Sequence, residues 1–431
     1  KKFSTNTPNE GRFHTRWLNM MYPRLYLARN LLREDGFFIV SIDDNELCNL
    51  RDLLDEIFGE ENFLAVLVFD RNRKNDAKLF SVGHEYMVVY ARNKGHLIEK
   101  NIRLRATKEG IDEIREEFER LSKLYNNNWE LVREGLLEFY STFEENDPRL
   151  PLIRYSKVDE KGPYRTDGDP SWPGGGGPRY KVIHPVTKKP CKIPSRGWVW
   201  PTYERMKEEI EKGYIFFGPD EKTIPSVRRN LFEKDEQVLR SVIFSYAQKA
   251  SQDFARIFDG IKVFDNPKSF LDLERLIEYL TEPGDLVLDF FSGTGTTAHG
   301  VLRLNKNSII QRKFICIQLP EPINSDTDSG RNAQSLGFST IADIGKERIR
   351  KVIQQIFNEQ RVRLKKAEGT LPGMAEDLPV LDLGFKVFKL DRSNFKIWDG
   401  SRPDAPEEEL IRQLTLHIDH IDPHASQEDI L

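Results

Sequence analysis

The sequence predicts an α/β fold in which two halves of a doubly wound sheet flank an inserted domain. Three observations carry this expectation. Apolar runs of strand length alternate with amphipathic helical stretches at the start of the chain and again after about residue 256, the stretch 98–255 breaks that alternation, and a glycine turn between strand and helix comes late, at 292–297.

Residues 15–34 place Trp17, Met20, Met21, Leu25, Leu27, Leu31 and Leu32 near helical spacing, with Pro23 as a kink point and Asp35-Gly36 as the stop. "FFIVSI" (37–42) is a continuous apolar run of the kind that suits a buried parallel strand. Asp43-Asp44-Asn45 then caps a second helix, "ELCNLRDLLDEIFG", closed by Gly59. "FLAVLVF" (63–69) and "EYMVVYAR" (85–92) are expected to form an antiparallel end to this half-sheet. Residues 108–145 are charged and helical in pattern, and "DGDPSWPGGGGPRY" (167–180) is unsuited to a regular core. α/β order resumes with a loop, a helix from about Ser269, a Pro-Gly turn and a strand at 286–290, and a long helix follows at 341–367. The expected domains are 1–97, an insert at 98–255, 256–335, the helix at 336–370, and a small C-terminal segment at 371–431. The two half-sheets are expected to join into one.

With 431 residues, 31% charged and 38% hydrophobic, the chain has core enough for two or three domains. It has no apolar run near the ~20 residues of a membrane span. Cys48, Cys191 and Cys316 are far apart and the eight histidines show no metal-ligand spacing, so reduced thiols, a cytoplasmic setting and no metal are expected. The chain begins at Lys1 and shows no secretory segment, and it is expected to be part of a longer protein. The net charge of −4 excludes a uniformly basic nucleic-acid binder, but its distribution is uneven. Residues 399–431 hold nine acids against two arginines, which leaves about +3 for residues 1–398. The stretch 178–198 carries Arg179, Lys181, Lys188, Lys189, Lys192 and Arg196 with no acid, a candidate phosphate-facing surface.

Asp289 ends the late strand and Ser292-Gly293-Thr294-Gly295-Thr296-Thr297 makes the turn. Glycines there let a ligand approach the backbone, and the helix start offers N–H donors. The spacing of Gly293, Gly295 and Ala298 also fits a dinucleotide site, whereas no phosphate-loop lysine motif of an ATP-driven motor occurs.

"VLDFFSGTGTTAHGVL", preceded by "FDNPK", resembles the cofactor motifs of the β-group S-adenosylmethionine-dependent DNA adenine-N6 methyltransferases. The opening "FHTRWLNMMYPRLYLARNLLREDGFFIVSIDDNE", with "NDAKLFSVGHEYMVVYAR" and "GFSTIADIGKERIRKVI", is similar to the modification (Mod) subunits of type III restriction-modification systems. The resemblance implies a Rossmann-like class I methyltransferase sheet in circularly permuted order, with an inserted α+β target-recognition domain and a small C-terminal domain; the permutation accounts for the lateness of the glycine turn. It implies S-adenosyl-L-methionine as cofactor, double-stranded DNA as substrate, a second copy of the chain and a restriction (Res) helicase-nuclease subunit as partners, and no membrane. By the same resemblance Asp289, Phe290, Ser292, Gly293, Gly295, Thr296 and Thr297 would line the cofactor, Asn266, Pro267 and Lys268 would lie near its carboxylate, and Gln318 or Glu321 would reach the ribose. Phe80, His84 and Glu85 would stand near the flipped base, with ordinary structural contacts as the competing reading.

The family transfers its methyl group with an Asp/Asn/Ser-Pro-Pro-aromatic tetrapeptide, which accepts the amine protons and stacks on the base. That tetrapeptide is not in this sequence, and its expected place is upstream of Lys1. The nearest lookalike, Asp169-Pro170-Ser171-Trp172, has serine for the second proline and is expected to follow no buried strand. Trp172, Trp198, Trp200 and Tyr180 are candidates for core, wedge or stacking roles, core being the default. Three readings stay open beside the main one: a DNA-recognition module with a cofactor fold but no transfer activity, a cytosine-N4 methyltransferase, and a nicotinamide oxidoreductase resting on the glycine spacing alone.

Overall fold

Apolar spacing in the first helix, α1 (Phe13–Leu31), puts Met21, Leu25 and Ala28 on one buried face. That face packs on the sheet strand β1 (Phe37–Ile42) and on α2 (Leu47–Phe58), which buries Leu50, Leu53, Leu54, Ile57 and Phe58. Two longer strands follow, β2 (Phe63–Asp70) and β3 (His84–Ala91), and β3 lies between β1 and β2, antiparallel to both. Among the described residues β1 is therefore an edge strand with an antiparallel neighbour, not the buried parallel strand its composition suggests; its inward face is covered by helices while one backbone edge carries no described partner strand. The computed structural model describes residues 13–71, 78–144, 147, 149–233, 235–245, 247–367, 381–390, 408 and 411.

The middle of the chain holds α3 (Lys94–Glu99), β4 (Ala106–Thr107), α4 (Ile111–Leu124), α5 (Trp129–Ser141), β5 (Lys157–Asp159), β6 (Gly162–Gly168), α6 (Tyr203–Glu211), β7 (Ile215–Phe216), β8 (Ser226–Asn230) and β9 (Glu236–Gln237). Its four-stranded antiparallel sheet runs β5-β6-β8-β7. One core forms where α4 and α5 bury Ile114, Leu121, Val132 and Leu136 with Leu231, and a second around Trp198, Trp200 and Met206. β10 (Val242–Phe244), within the expected insert, instead adds to the first sheet in parallel with β2, giving the order β1-β3-β2-β10.

After α7 (Ala247–Ile257) comes α8 (Phe270–Leu280), capped by the Ser269 side chain, which accepts the Asp272 N–H. β11 (Leu286–Asp289) and β12 (Lys313–Cys316) pair in parallel with α9 (Thr296–Asn305) as the crossover. α10 (Asp328–Ser335) and the long α11 (Ile341–Ala367) complete the unit.

Among the described residues the two sheets do not join by hydrogen bonds. β1 and β11 nevertheless lie side by side and point the same way. Arg33, four residues before β1, is ion-paired to Asp285 at 2.8 Å, and Phe38 stacks near Phe290 with ring centroids 6.5 Å apart. Both partners advance by five residues between the two contacts, as parallel segments must. No described strand fills the place between them, so the single sheet expected from the sequence is present as two sheets with neighbouring free edges.

The chain divides into two units, Lys1–Leu381 and Asp382–Leu431. In the second, residues 382–390 carry no helix or strand, and the acidic tail lies outside the described residues apart from Glu408 and Ile411. The first twelve residues, which open the expected first domain, also lie outside them.

Candidate functional site

Register places the functional side chains at one end of the sheets. Ile42 of β1 lies opposite Tyr86 of β3, His84 of β3 opposite Asp70 of β2, and Asp70 opposite Phe244 of β10. The carboxyl ends of β1, β2 and β10 and the amino end of β3 therefore converge, and the Lys268–Glu85 pair with the Phe270–His299 stack sets α9, the helix that follows Asp289, beside the same end. In open α/β sheets this is the end where ligands bind.

The glycine turn is built by its own strand end. One Asp289 carboxylate oxygen accepts the Phe291 N–H at 3.0 Å, and the other accepts the Thr297 hydroxyl at 2.6 Å, so the acid fastens the turn to the first turn of α9. Gly293 and Gly295 have φ of 51° and 74°, a left-handed conformation that glycine adopts without the penalty of a side chain. A Cβ on Gly293 would meet nothing within 4 Å, which leaves open space over the turn. On the opposite side Gly345 of α11 presses against it: a Cβ there would stand 3.3 Å from the Gly293 carbonyl oxygen. Ser292, Thr296 and Thr297 are buried, and Phe290 packs toward Phe38. Cys316, at the end of β12 beside Asp289, has its thiol pushed up to about 12 by burial, which leaves it inert as a nucleophile.

Gln318 and Glu321 separate in role. The Gln318 side-chain oxygen accepts the Gly293 N–H at 2.7 Å and so belongs to the turn. Glu321 is exposed, and its carboxylate has no partner among the described residues.

Lys268 does not stand free for a ligand carboxylate. Its ammonium is 2.6 Å from Glu85, which also receives Arg71 at 3.3 Å. Arg71 in turn pairs with Asp272 and donates to the Ser245 hydroxyl, both at 2.7 Å, and Ser245 donates to Asp272 at 2.6 Å. Burial alone would raise the Glu85 pKa, but the Lys268 and Arg71 cations outweigh it and hold the carboxyl below its usual range. This network ties β2, β3, β10 and α8 together, and it unites Glu85 and Lys268, singled out from opposite ends of the sequence. Asn266, exposed with φ of 49°, and buried Pro267 shape the loop that delivers the lysine. Phe270 of α8 stacks on His299 of α9 at 4.1 Å, which sets this loop beside the glycine turn.

His84 bonds the Tyr86 hydroxyl at 2.7 Å, and that hydroxyl donates to Asp44 at 2.8 Å. Phe80 is 87% exposed, an uncovered aromatic ring on the loop leading into β3.

In the insert, Arg179, Lys181, Lys188, Lys189, Lys192 and Arg196 are all exposed. Three have partners: Arg179 donates to the Ser195 carbonyl at 2.5 Å, Lys189 lies 3.6 Å from Glu221, and Arg196 is 2.6 Å from Asp169. Trp198 and Trp200 are buried core, and Tyr180 donates its hydroxyl to the Trp200 carbonyl. The Asp169-Pro170-Ser171-Trp172 lookalike follows a strand after all, β6, because the Gly162–Gly168 segment pairs with both β5 and β8 despite its polar composition. Its carboxylate is occupied by Arg196 and by the Ser171 N–H, so it cannot serve as an amine acceptor.

Sequence reasoning missed Arg71 and Arg348. Arg348 of α11 is fully buried beneath the glycine turn, with its guanidinium 2.7 Å from the Thr296 hydroxyl and 3.2 Å from that of Thr294. Among the described residues no His/Cys/Asp/Glu cluster could hold a metal ion, and no helix is long and apolar enough to cross a membrane.

Comparison with known proteins places the chain in a family. The chain is 39% identical to the Escherichia coli type III restriction-modification enzyme EcoP15I Mod subunit over 341 residues, 78% of this chain and 50% of that one. It is 31% identical to the StyLTI Mod subunit of Salmonella typhimurium, over 80% of this chain and 46% of the relative. The EcoPI Mod subunit of Escherichia phage P1 is 32% identical, over 79% and 50%. The chain thus spans about half the length of these curated relatives. A family described as DNA methylase matches residues 3–322, and on that match, which takes in both sheets and the glycine turn, the chain belongs to the DNA methylase family.

Proposed function

We propose that this chain supplies the cofactor-binding and DNA-reading parts of an S-adenosylmethionine-dependent DNA adenine-N6 methyltransferase, the modification and recognition subunit of a type III restriction-modification system. The observation that carries the reading is the open glycine turn at the carboxyl end of β11, fastened by Asp289 and Gln318 and set beside the Lys268–Glu85 network. The residues fit the cofactor: the space over Gly293 admits a ligand against the backbone, and the start of α9 offers N–H donors toward an anionic group. Glu321, exposed five residues beyond the end of β12, is the acid for the ribose hydroxyls, while Gln318 holds the turn. The cofactor, when bound, supplies an activated methyl group. The chain's own part is to orient it at the sheet end that also carries His84 and Tyr86, with Phe80 exposed on the loop leading into β3.

Transfer needs an acceptor for the amine protons of the target base, and the described residues present none of the required form. The neighbouring free edges of β1 and β11 support the reading that a strand from outside these 431 residues runs between them and delivers the tetrapeptide at the shared carboxyl end. Residues 98–241 serve as the target-recognition domain, with the exposed lysines on phosphates. A second copy of the chain and a Res subunit are the proposed partners, and the cytoplasm is the proposed setting.

Titration calorimetry with S-adenosylmethionine tests the cofactor reading, with NAD as the control that a nicotinamide enzyme would bind instead. Methyl transfer from labelled cofactor to duplex DNA tests the rest. Residues 1–431 alone are expected to bind cofactor without transferring, and the chain extended upstream through the tetrapeptide is expected to label adenine. Label on cytosine would move the assignment to N4 chemistry.

A further inference from the structure

Lys268, the cation the sequence offers for the cofactor's carboxylate, is engaged by Glu85. A second cation lies directly beneath the glycine turn. Arg348 is 0% exposed, and its guanidinium contacts the hydroxyls of Thr294 and Thr296, the Thr294 carbonyl oxygen at 3.4 Å, the His299 ring and, at 4.9 Å, the face of Phe254. All of these partners are neutral. No carboxylate pairs with Arg348 among the described residues, although buried charges are ordinarily paired.

Its neighbours keep the charge in place. Burial pulls the guanidinium down to about 9, so it remains protonated at neutral pH. Burial, reinforced by Arg348 and Arg303, pushes His299 well below the usual histidine range, which keeps Nδ1 of that ring an acceptor. Gly345, three residues earlier on the same face of α11, lets the helix backbone meet the turn closely enough for the arginine to reach both threonines. A buried, unbalanced positive charge is thus held at the positive end of α9, where it adds to the helix dipole instead of opposing it. That costs stability in the empty protein and is offset only when an anion arrives over the turn.

We propose that Arg348 is a positioning residue that makes the glycine-turn site select S-adenosyl ligands bearing a carboxylate, by fixing Thr294 and Thr296 from below and by projecting its unbalanced charge through the turn. The inference rests on the cofactor reading given above. Arg348 itself touches no ligand, because the turn lies between.

The test compares S-adenosylmethionine with its decarboxylated analogue, which differs only in lacking the carboxylate. Calorimetry gives the ratio of their dissociation constants for wild type, Arg348→Lys and Arg348→Met, with circular dichroism and thermal melting to establish that each variant folds. A buried charge and an anion about 10 Å apart, at the effective dielectric typical of proteins, interact by an amount that corresponds to roughly a tenfold preference. Arg348→Met is expected to lower the ratio by about that factor, and Arg348→Lys to keep most of it. A folded Arg348→Met that weakens both ligands equally, or changes neither, overturns the proposal and leaves the arginine a purely structural strut. Should Arg348→Met not fold, Thr296→Val removes the 2.7 Å anchor with little change in shape and is expected to lower the ratio about threefold; an unchanged ratio there overturns it as well. Failure of the wild-type chain to bind either ligand would instead refute the cofactor reading.

Discussion

The Arg71–Asp272 pair permits a quantitative test of how the site end is held. Their side chains are 9% and 12% exposed, and they meet at 2.7 Å. Removing one partner of a buried pair costs about 3–5 kcal/mol because the other charge is left without its counterion. Here part of that cost is relieved, since Asp272 keeps the Ser245 hydroxyl and Arg71 keeps Glu85. A loss of about 2–3 kcal/mol is therefore expected for either Arg71→Met or Asp272→Leu, which lowers the melting temperature by roughly 2.5–4 °C in a unit of this size. The double variant replaces a charge pair by an apolar pair and should recover about 1–2 kcal/mol of the summed loss. Differential scanning calorimetry of the four proteins closes the cycle. If the double variant loses the full sum of the singles, the two side chains are not coupled and the network described above does not hold the sheet end.

Acidification should weaken the same network. Glu85 is held below its usual range in the folded protein, so its contribution is present above the unfolded value and disappears as pH falls through the folded one. Urea midpoints of wild type and Glu85→Gln are expected to differ at pH 7 and to converge as pH falls below the ordinary glutamate range; a gap that widens on acidification would reverse the assignment. Trp198→Ala, at a fully buried position of the insert, should destabilise that domain by about 3–5 kcal/mol and abolish DNA binding while S-adenosylmethionine affinity, read by calorimetry, stays within twofold. Changing Lys181, Lys188 and Lys192 together to glutamine should reduce the salt dependence of DNA affinity by about two to three units of log–log slope with the melting temperature unchanged; an unaltered slope removes this surface from the phosphate contacts.

Most of the elements were legible because the local pattern settles them. The run at 37–42 became β1 and the long helix at 341–367 became α11, each with the expected limits. Neighbours were not legible, since an apolar run of six residues suits an edge strand covered by helices as well as a central parallel one, and only the placement of β3 decides between them. β6 was missed for the opposite reason. "GPYRTDG" has no strand composition, and its pairing comes from two partners distant in sequence. At the site, the glycines and Asp289 announced themselves through a motif, whereas Arg71 sits in a basic run, "DRNRK", that reads as solvated surface. Arg348 is equally concealed in "KERIRK", where it looks like one face of an amphipathic helix. The available signal was Gly345, a glycine inside a helix at i−3, which marks the face where another backbone comes close.

The free edges of β1 and β11 also bear on how this chain behaves when produced by itself. A strand that ends a sheet without charge, proline or a covering element offers its backbone donors and acceptors to any extended peptide. Here two edges without a described partner strand lie next to each other, with Leu286 of β11 exposed. The Arg33–Asp285 bridge and the Phe38–Phe290 stack hold them at a fixed spacing, so they form a receptacle more receptive to strand capture than either edge would be alone. Handling the isolated polypeptide at high concentration therefore favours self-association through this slot, and a short soluble peptide of strand-forming sequence added in excess should suppress it.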